Sequence, residues 1–150
     1  MSTQVQVTID CADPDRLARF WAEALGYRMP DPPGGHATWE EALAAFGVPK
    51  DQWNSASALE DPDGKGPRMY FQQVPESKVA KNRMHLDLNI GGGNDVPVEE
   101  RRARVDAGVA RLKALGATDE RGAISKSSEF EPGAYWVRMN DPEGNEFCVQ

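Results

Sequence analysis

His85, Asp87 and Asn89 alternate with Leu86, Leu88 and Ile90 in the run RMHLDLNI, Arg83 to Ile90. Alternate side chains of a strand point to opposite faces. The spacing therefore predicts an imidazole, a carboxylate and an amide on one surface, with an aliphatic surface for a core behind them. A carboxylate beside an imidazole raises its pKa or fixes its tautomer, which equips the pair for proton transfer. A sheet histidine held by hydrogen bonds is the plainer reading. Asp10 and Asp87, if they converge, push one carboxyl pKa upward and yield an acid and a base; pairing with Arg83 or Arg138 would equally account for them. Glu146 and Cys148 share a second predicted strand face, and Trp136, Arg138 and Asn140 a third. Glu146 is a further candidate acid. Cys148 is a soft ligand, or a nucleophile if a histidine lowers its pKa, or simply a small lining residue. Trp136, with Arg138 and Asn140 on its face, reads as an aromatic wall.

The chain that must position these groups has 150 residues, enough for one domain with a core of its own. Its net charge of −7 opposes non-specific nucleic-acid binding, which needs clustered Lys and Arg, and suits a neutral or cationic small partner. Neither a membrane-length apolar run nor a signal-like start is present, so a soluble cytoplasmic protein is expected. Two cysteines, Cys11 and Cys148, are too few for a disulfide framework. Trp21 belongs to a helical stripe, while Trp39 and Trp53 fall in an insert that either closes over a ligand or merely anchors itself. His36 sits in a Pro-Gly loop and is expected at the surface, with a mobile flap over a ligand as the alternative. No GxGxxG, P-loop, HExxH or GxSxG pattern occurs.

Three landmarks recur in the two halves. VQVTIDCAD (Val5 to Asp13) aligns with MHLDLNIGG (Met84 to Gly92), matching Gln6 to His85, Thr8 to Asp87 and Asp10 to Asn89. Helices follow, each ending Ala-Leu-Gly at Gly26 and Gly116, residues suited to the left-handed position beyond a helix end. Asp13 caps the first helix and Pro14 opens it, with Leu17, Phe20, Trp21, Ala24 and Leu25 as its apolar stripe. Pro97 opens the second, whose stripe is Val98, Val105, Val109, Leu112 and Leu115. Each half closes on a hairpin around Asp61-Pro62-Asp63-Gly64 or Asp141-Pro142-Glu143-Gly144. A first-half insert carries Thr38 and Glu41 as a capping box for a short helix ending near Gly47. The expected fold is α+β, two tandem βαβββ modules in a single domain: module one over about 1–76, a linker over 77–82, and module two over about 83–150.

The stretches Thr8 to Pro14, Phe20-Trp21, Leu25-Gly26-Tyr27, Phe71 to Glu76, Asn82 to Leu88 and Asp141 to Cys148 together resemble the vicinal oxygen chelate superfamily. This group includes glyoxalases, bleomycin-resistance proteins and extradiol dioxygenases, and the chain looks most like its glyoxalase-like subgroup. The resemblance implies a curved mixed sheet forming a cup with helices outside, a homodimer, and a small-molecule ligand. It also implies four metal-ligand positions, which fall here on Gln6, Gln72, His85 and Cys148. That set has no carboxylate at either last-strand position, which suits magnesium, manganese or iron poorly. The expectation is therefore a cup without the usual metal, in which His85 with Asp87 or Glu146 serves as base and acid. Gln6 and Gln72 would polarise oxygen atoms, and Asp10, Trp136, Arg138 and Cys148 would line the ligand. Two alternatives stay open. One is sequestration of an aromatic or cationic compound without turnover. The other is a divalent-metal-dependent lyase or dioxygenase in which His85 joins Gln6, Gln72, Cys148 or Glu146, or a shifted site that draws on Asp10, Asp87 and Glu146.

Overall fold

The computed structural model describes residues 3–93, 95–124 and 134–150, with side chains omitted over 120–124. Asn94, which follows Gly91-Gly92-Gly93 in the sequence, lies outside them. Two compact units divide at Ser77 and Lys78.

The first unit runs β1 (Gln6–Cys11), α1 (Pro14–Leu25), α2 (Trp39–Ala45), β2 (Ala56–Leu59) and β3 (Arg68–Gln73). Asp13 caps α1 by accepting from the Arg16 N–H, Pro14 occupies the first turn, and Gly26 closes the helix at φ 71°. Leu17, Phe20, Trp21 and Ala24 of the expected stripe are buried, while Leu25, at the helix end, is only half-buried. Thr38 caps α2 by accepting from the Glu41 N–H, and Glu41 in turn accepts from the Ala37 N–H. The sheet has the order β1-β3-β2, with β1 parallel and β2 antiparallel to β3. Met69, Phe71 and Leu59 are buried, whereas Gln6, Thr8, Asp10, Arg68 and Gln72 are exposed on the opposite parity.

The second unit runs β4 (Asp87–Leu88), α3 (Val98–Ala114), β5 (Thr118–Ile124), β6 (Val137–Asn140) and β7 (Glu146–Val149), in the sheet order β4-β7-β6-β5. Leu88, Val137, Met139, Phe147 and Val149 are buried, as are Val105 and Leu112 of α3. Pro97 stands just before α3 as its N-cap. Leu115, expected in the stripe, is 36% exposed; the buried seam includes Gly108 instead. A Cβ at Gly108 would stand 2.9 Å from Ile90 Cδ1, so the missing side chain makes room for Ile90.

The duplication extends to single residue pairs. Thr118 pairs with Asn140 beside Gly116 in the second unit, and Arg28 pairs with Glu60 beside Gly26 in the first. The strand β5 thus has a one-residue counterpart in the first unit. Among the described residues each sheet is an open ladder, and the fold is α+β with two βαβββ-like modules.

Candidate functional site

The parallel pairing of β4 with β7 places Asp87 beside Cys148, and the antiparallel pairing of β7 with β6 places Cys148 beside Arg138. The ladder runs past the two-residue β4, because the Cys148 N–H donates to Leu86 O and the Gln150 N–H to Leu88 O, both at 2.9 Å. Strand parity then gathers His85, Asp87 and Asn89 on one face with Glu146, Cys148 and Gln150, and with Trp136, Arg138 and Asn140. Gln150 Nε2 donates to Asn89 Oδ1 at 2.8 Å. Asn140 Oδ1 is buried without a hydrogen-bond partner among the described residues.

His85 Nε2 lies 3.3 Å from Asp87 Oδ1. One ligand atom from each of His85, Asp87 and Cys148 lies within 4.8 Å of the others. Burial, followed by the charge of Asp87 and the hydrogen bond to it, pushes the half-buried Cys148 thiol up from its ordinary pKa. An imidazole, a carboxylate and a potential thiolate form a mixed N/O/S donor set that fits a borderline divalent ion. Asp87 thereby provides the carboxylate that the expected four-residue set lacks, and this correction weakens the metal-free expectation.

Glu146 is engaged elsewhere. Its carboxylate accepts from the Asn82 N–H at 3.0 Å and pairs with Lys78 Nζ at 3.0 Å. Burial pushes its pKa up, yet the Asn82 hydrogen bond and the Lys78 ammonium outweigh it and hold the group at about 2. It is a carboxylate at neutral pH and has no proton to give. A depressed folded-state pKa stabilises the fold above the unfolded value of 4.5, and that stability is lost as pH falls toward 2. Glu146→Gln is expected to cost on the order of 1–2 kcal/mol at pH 7 and little at pH 2. Urea unfolding at the two pH values checks this, and an equal cost at both would refute the assignment.

In the first unit, Gln6 faces Arg68, whose guanidinium donates to Gln6 Oε1, while Gln72 faces Asp10. Gln6 and Gln72 therefore stand at opposite ends of the β1–β3 ladder and do not meet across it. The hairpin registers explain this. Leu59 pairs with Met69, whereas Met139 pairs with Phe147, so the first hairpin holds two extra residues. Opposite Thr8, the position equivalent to Cys148 is Tyr70, and Gln72 corresponds to Gln150. The extra Gly66-Pro67 after the turn was the available signal: a Cβ at Gly66 would lie 1.9 Å from the Tyr27 hydroxyl, so any side chain there would have to displace the Tyr27 ring. Lys78 and Asn82, read from sequence as linker, were missed as the groups that hold Glu146.

The sequence matches the glyoxalase-like domain over residues 6–150. The chain belongs to this family. It is thus a member of the glyoxalase and bleomycin-resistance superfamily, as its repeated motifs imply. No curated protein matches it significantly. Similar solved structures include a glyoxalase/bleomycin resistance protein/dioxygenase family enzyme from Burkholderia phytofirmans, at TM-score 0.57 and 15% identity over 96% of this chain and 94% of that one. Two fosfomycin resistance proteins, both FosX, share the fold. The one from Listeria monocytogenes, solved with Mn(II) and 1S,2S-dihydroxypropylphosphonic acid, has TM-score 0.61 and 13% identity over 100% and 90% of the two chains. The one from Mesorhizobium loti has TM-score 0.58 and 13% identity over 99% and 91%. Identities this low establish a common fold for this glyoxalase-like chain. No helix among its described residues is long and apolar enough to cross a membrane.

Proposed function

We propose that this glyoxalase-like protein is a divalent-metal-dependent lyase or dioxygenase acting on a small oxygenated compound at the polar face of its second sheet. The observation that carries this reading is the convergence of His85, Asp87 and Cys148 within 4.8 Å. These three residues would hold the ion. The FosX structure with Mn(II) is consistent with metal use on this fold, but a sulfur donor favours zinc, ferrous iron or nickel over manganese or magnesium. When bound, such an ion supplies Lewis-acid polarisation of substrate oxygen. Arg138, beside Cys148 in the ladder, supplies positive charge for an anionic substrate group. Trp136, on the same face, offers it an apolar flank.

A second reading keeps the site free of metal. There the 3.3 Å contact orients His85 through Asp87, and His85 serves as the base. Glu146, held as a carboxylate, does not act as the acid.

Metal content of the purified protein, measured by mass spectrometry, tests the leading reading, followed by titration of zinc, nickel, ferrous iron and manganese into wild type and His85→Ala. About one equivalent of bound metal, lost in the variant, is expected. Absence of any stoichiometric metal in both the purified and the titrated protein would overturn it in favour of the metal-free site.

A further inference from the structure

Among the described residues the first unit lacks a strand that the second unit has, and its sequence shows why. Arg28 and Glu60 exchange both backbone hydrogen bonds, at 3.1 and 2.9 Å. Continued antiparallel from that pair, Pro30 would face Ala58 and Pro32 would face Ala56. Such residues alternate in hydrogen bonding, so these are the two positions where the incoming chain must donate an N–H, and proline has none. The strand ends after one bridge, whereas its counterpart β5 continues along β6 as far as Ile124 opposite Val137.

The vacant edge of β2 carries polar backbone. The Ser55 carbonyl accepts from the Gln73 N–H, so Ser55, Ser57 and Leu59 direct their backbone groups toward β3. Ala56 and Ala58 share the outward parity of Glu60. Their outward N–H and C=O groups have no partner among the described residues.

The same edge borders a cavity of about 570 Å³ within the first unit. Trp39 and Trp53 wall it, each ring fixed by an indole N–H donated to backbone, to Pro30 O at 2.8 Å and Val48 O at 2.9 Å. Leu43 and Val48 add apolar surface. Ser57, also on the wall, has a buried Oγ with no hydrogen-bond partner among the described residues. Open donors and acceptors in strand register, an orphaned hydroxyl and fixed aromatic walls thus coincide.

We propose that this slot binds a short extended peptide as the strand that the first unit lacks, with an apolar or aromatic side chain between Trp39 and Trp53. The pairing is β-augmentation, in which main-chain hydrogen bonds give affinity and a side-chain pocket gives specificity. A free peptide fits better than a protein partner, because two open strand positions and a cavity of this size suit a ligand of about three residues. The site is independent of the second-unit metal cluster, and its test involves no metal.

The probe is the blocked tripeptide acetyl-Val-Phe-Val-amide, titrated into the full chain by calorimetry and tryptophan fluorescence. Its analogue methylated on every backbone nitrogen keeps the side chains and loses the donors. Ala58→Pro removes the outward N–H at a strand edge, the place in a sheet where proline is tolerated. Saturable binding at one site is expected, weakened roughly tenfold or more by backbone methylation and by Ala58→Pro. Ser57→Ala should weaken it by a smaller factor. Equal binding of the methylated peptide to wild type, which does not depend on any variant folding, would overturn the proposal, as would no saturable binding. Self-association of the wild type that Ala58→Pro abolishes would assign the edge to a second copy instead and equally overturn it.

Discussion

Replacing Cys148 with serine is expected to weaken zinc binding by about a hundredfold or more and to narrow or reverse the preference for zinc over manganese. The thiolate is the softest of the three donors, and a hydroxyl retains its size while losing its affinity for borderline ions. Because burial and Asp87 keep the thiol protonated, metal entry must displace that proton, and wild-type zinc affinity should rise with pH through the neutral range. The serine variant should show a flatter profile. Competition against a chromophoric chelator at several pH values measures both effects. Unchanged zinc affinity in the variant would remove Cys148 from the site and leave His85 and Asp87, too few to hold an ion selectively.

Asp141→Ala is expected to cost about 2 kcal/mol of stability, through half-buried turn N–H groups left without their acceptor. Asp141 is 3% exposed. Its Oδ1 accepts from the N–H groups of Glu143 and Asn145, both at 2.9 Å, and Asn145 Nδ2 donates to both carboxylate oxygens. This one side chain shapes the turn that delivers β7, and with it Cys148, into the sheet. The matching Asp61 of the first unit accepts from the N–H groups of Asp63, Lys65 and Gly66 but is more open to water, so Asp61→Ala should cost less. Urea unfolding of the two variants gives the comparison. An Asp141→Ala loss below about 1 kcal/mol would mean that the turn is held by its backbone alone.

Caps, turns and the α1 stripe were legible in the sequence because each rests on local chemistry: an aspartate before a proline, a glycine after a helix, alternating polar and apolar residues. The pairing of His85 with Asp87 was legible for the same reason, since both lie on one strand face. What could not be read depends on contacts between distant segments. Cys148 joins that pair only through the parallel register of β4 and β7. Matching Gln72 to Cys148 failed because two extra residues in the first hairpin shift its register. Glu146 looked like a free acid because nothing local announces that Lys78 and Asn82 fold back onto it. The strand β5 escaped notice since TDERGAI alternates too weakly to declare a buried face, and Gly108 gave no sign that Ile90 would occupy its missing side chain.

The sheet orders β1-β3-β2 and β4-β7-β6-β5 put the last strand of each unit in the interior of its sheet. Its parallel partner lies about sixty residues earlier in the chain. On the ribosome, each unit must therefore wait with the edges of its earlier strands unpaired until its final strand emerges to be threaded between them. Long-range parallel pairing is slow to form, so this interval is when a nascent chain would most need shielding from its neighbours.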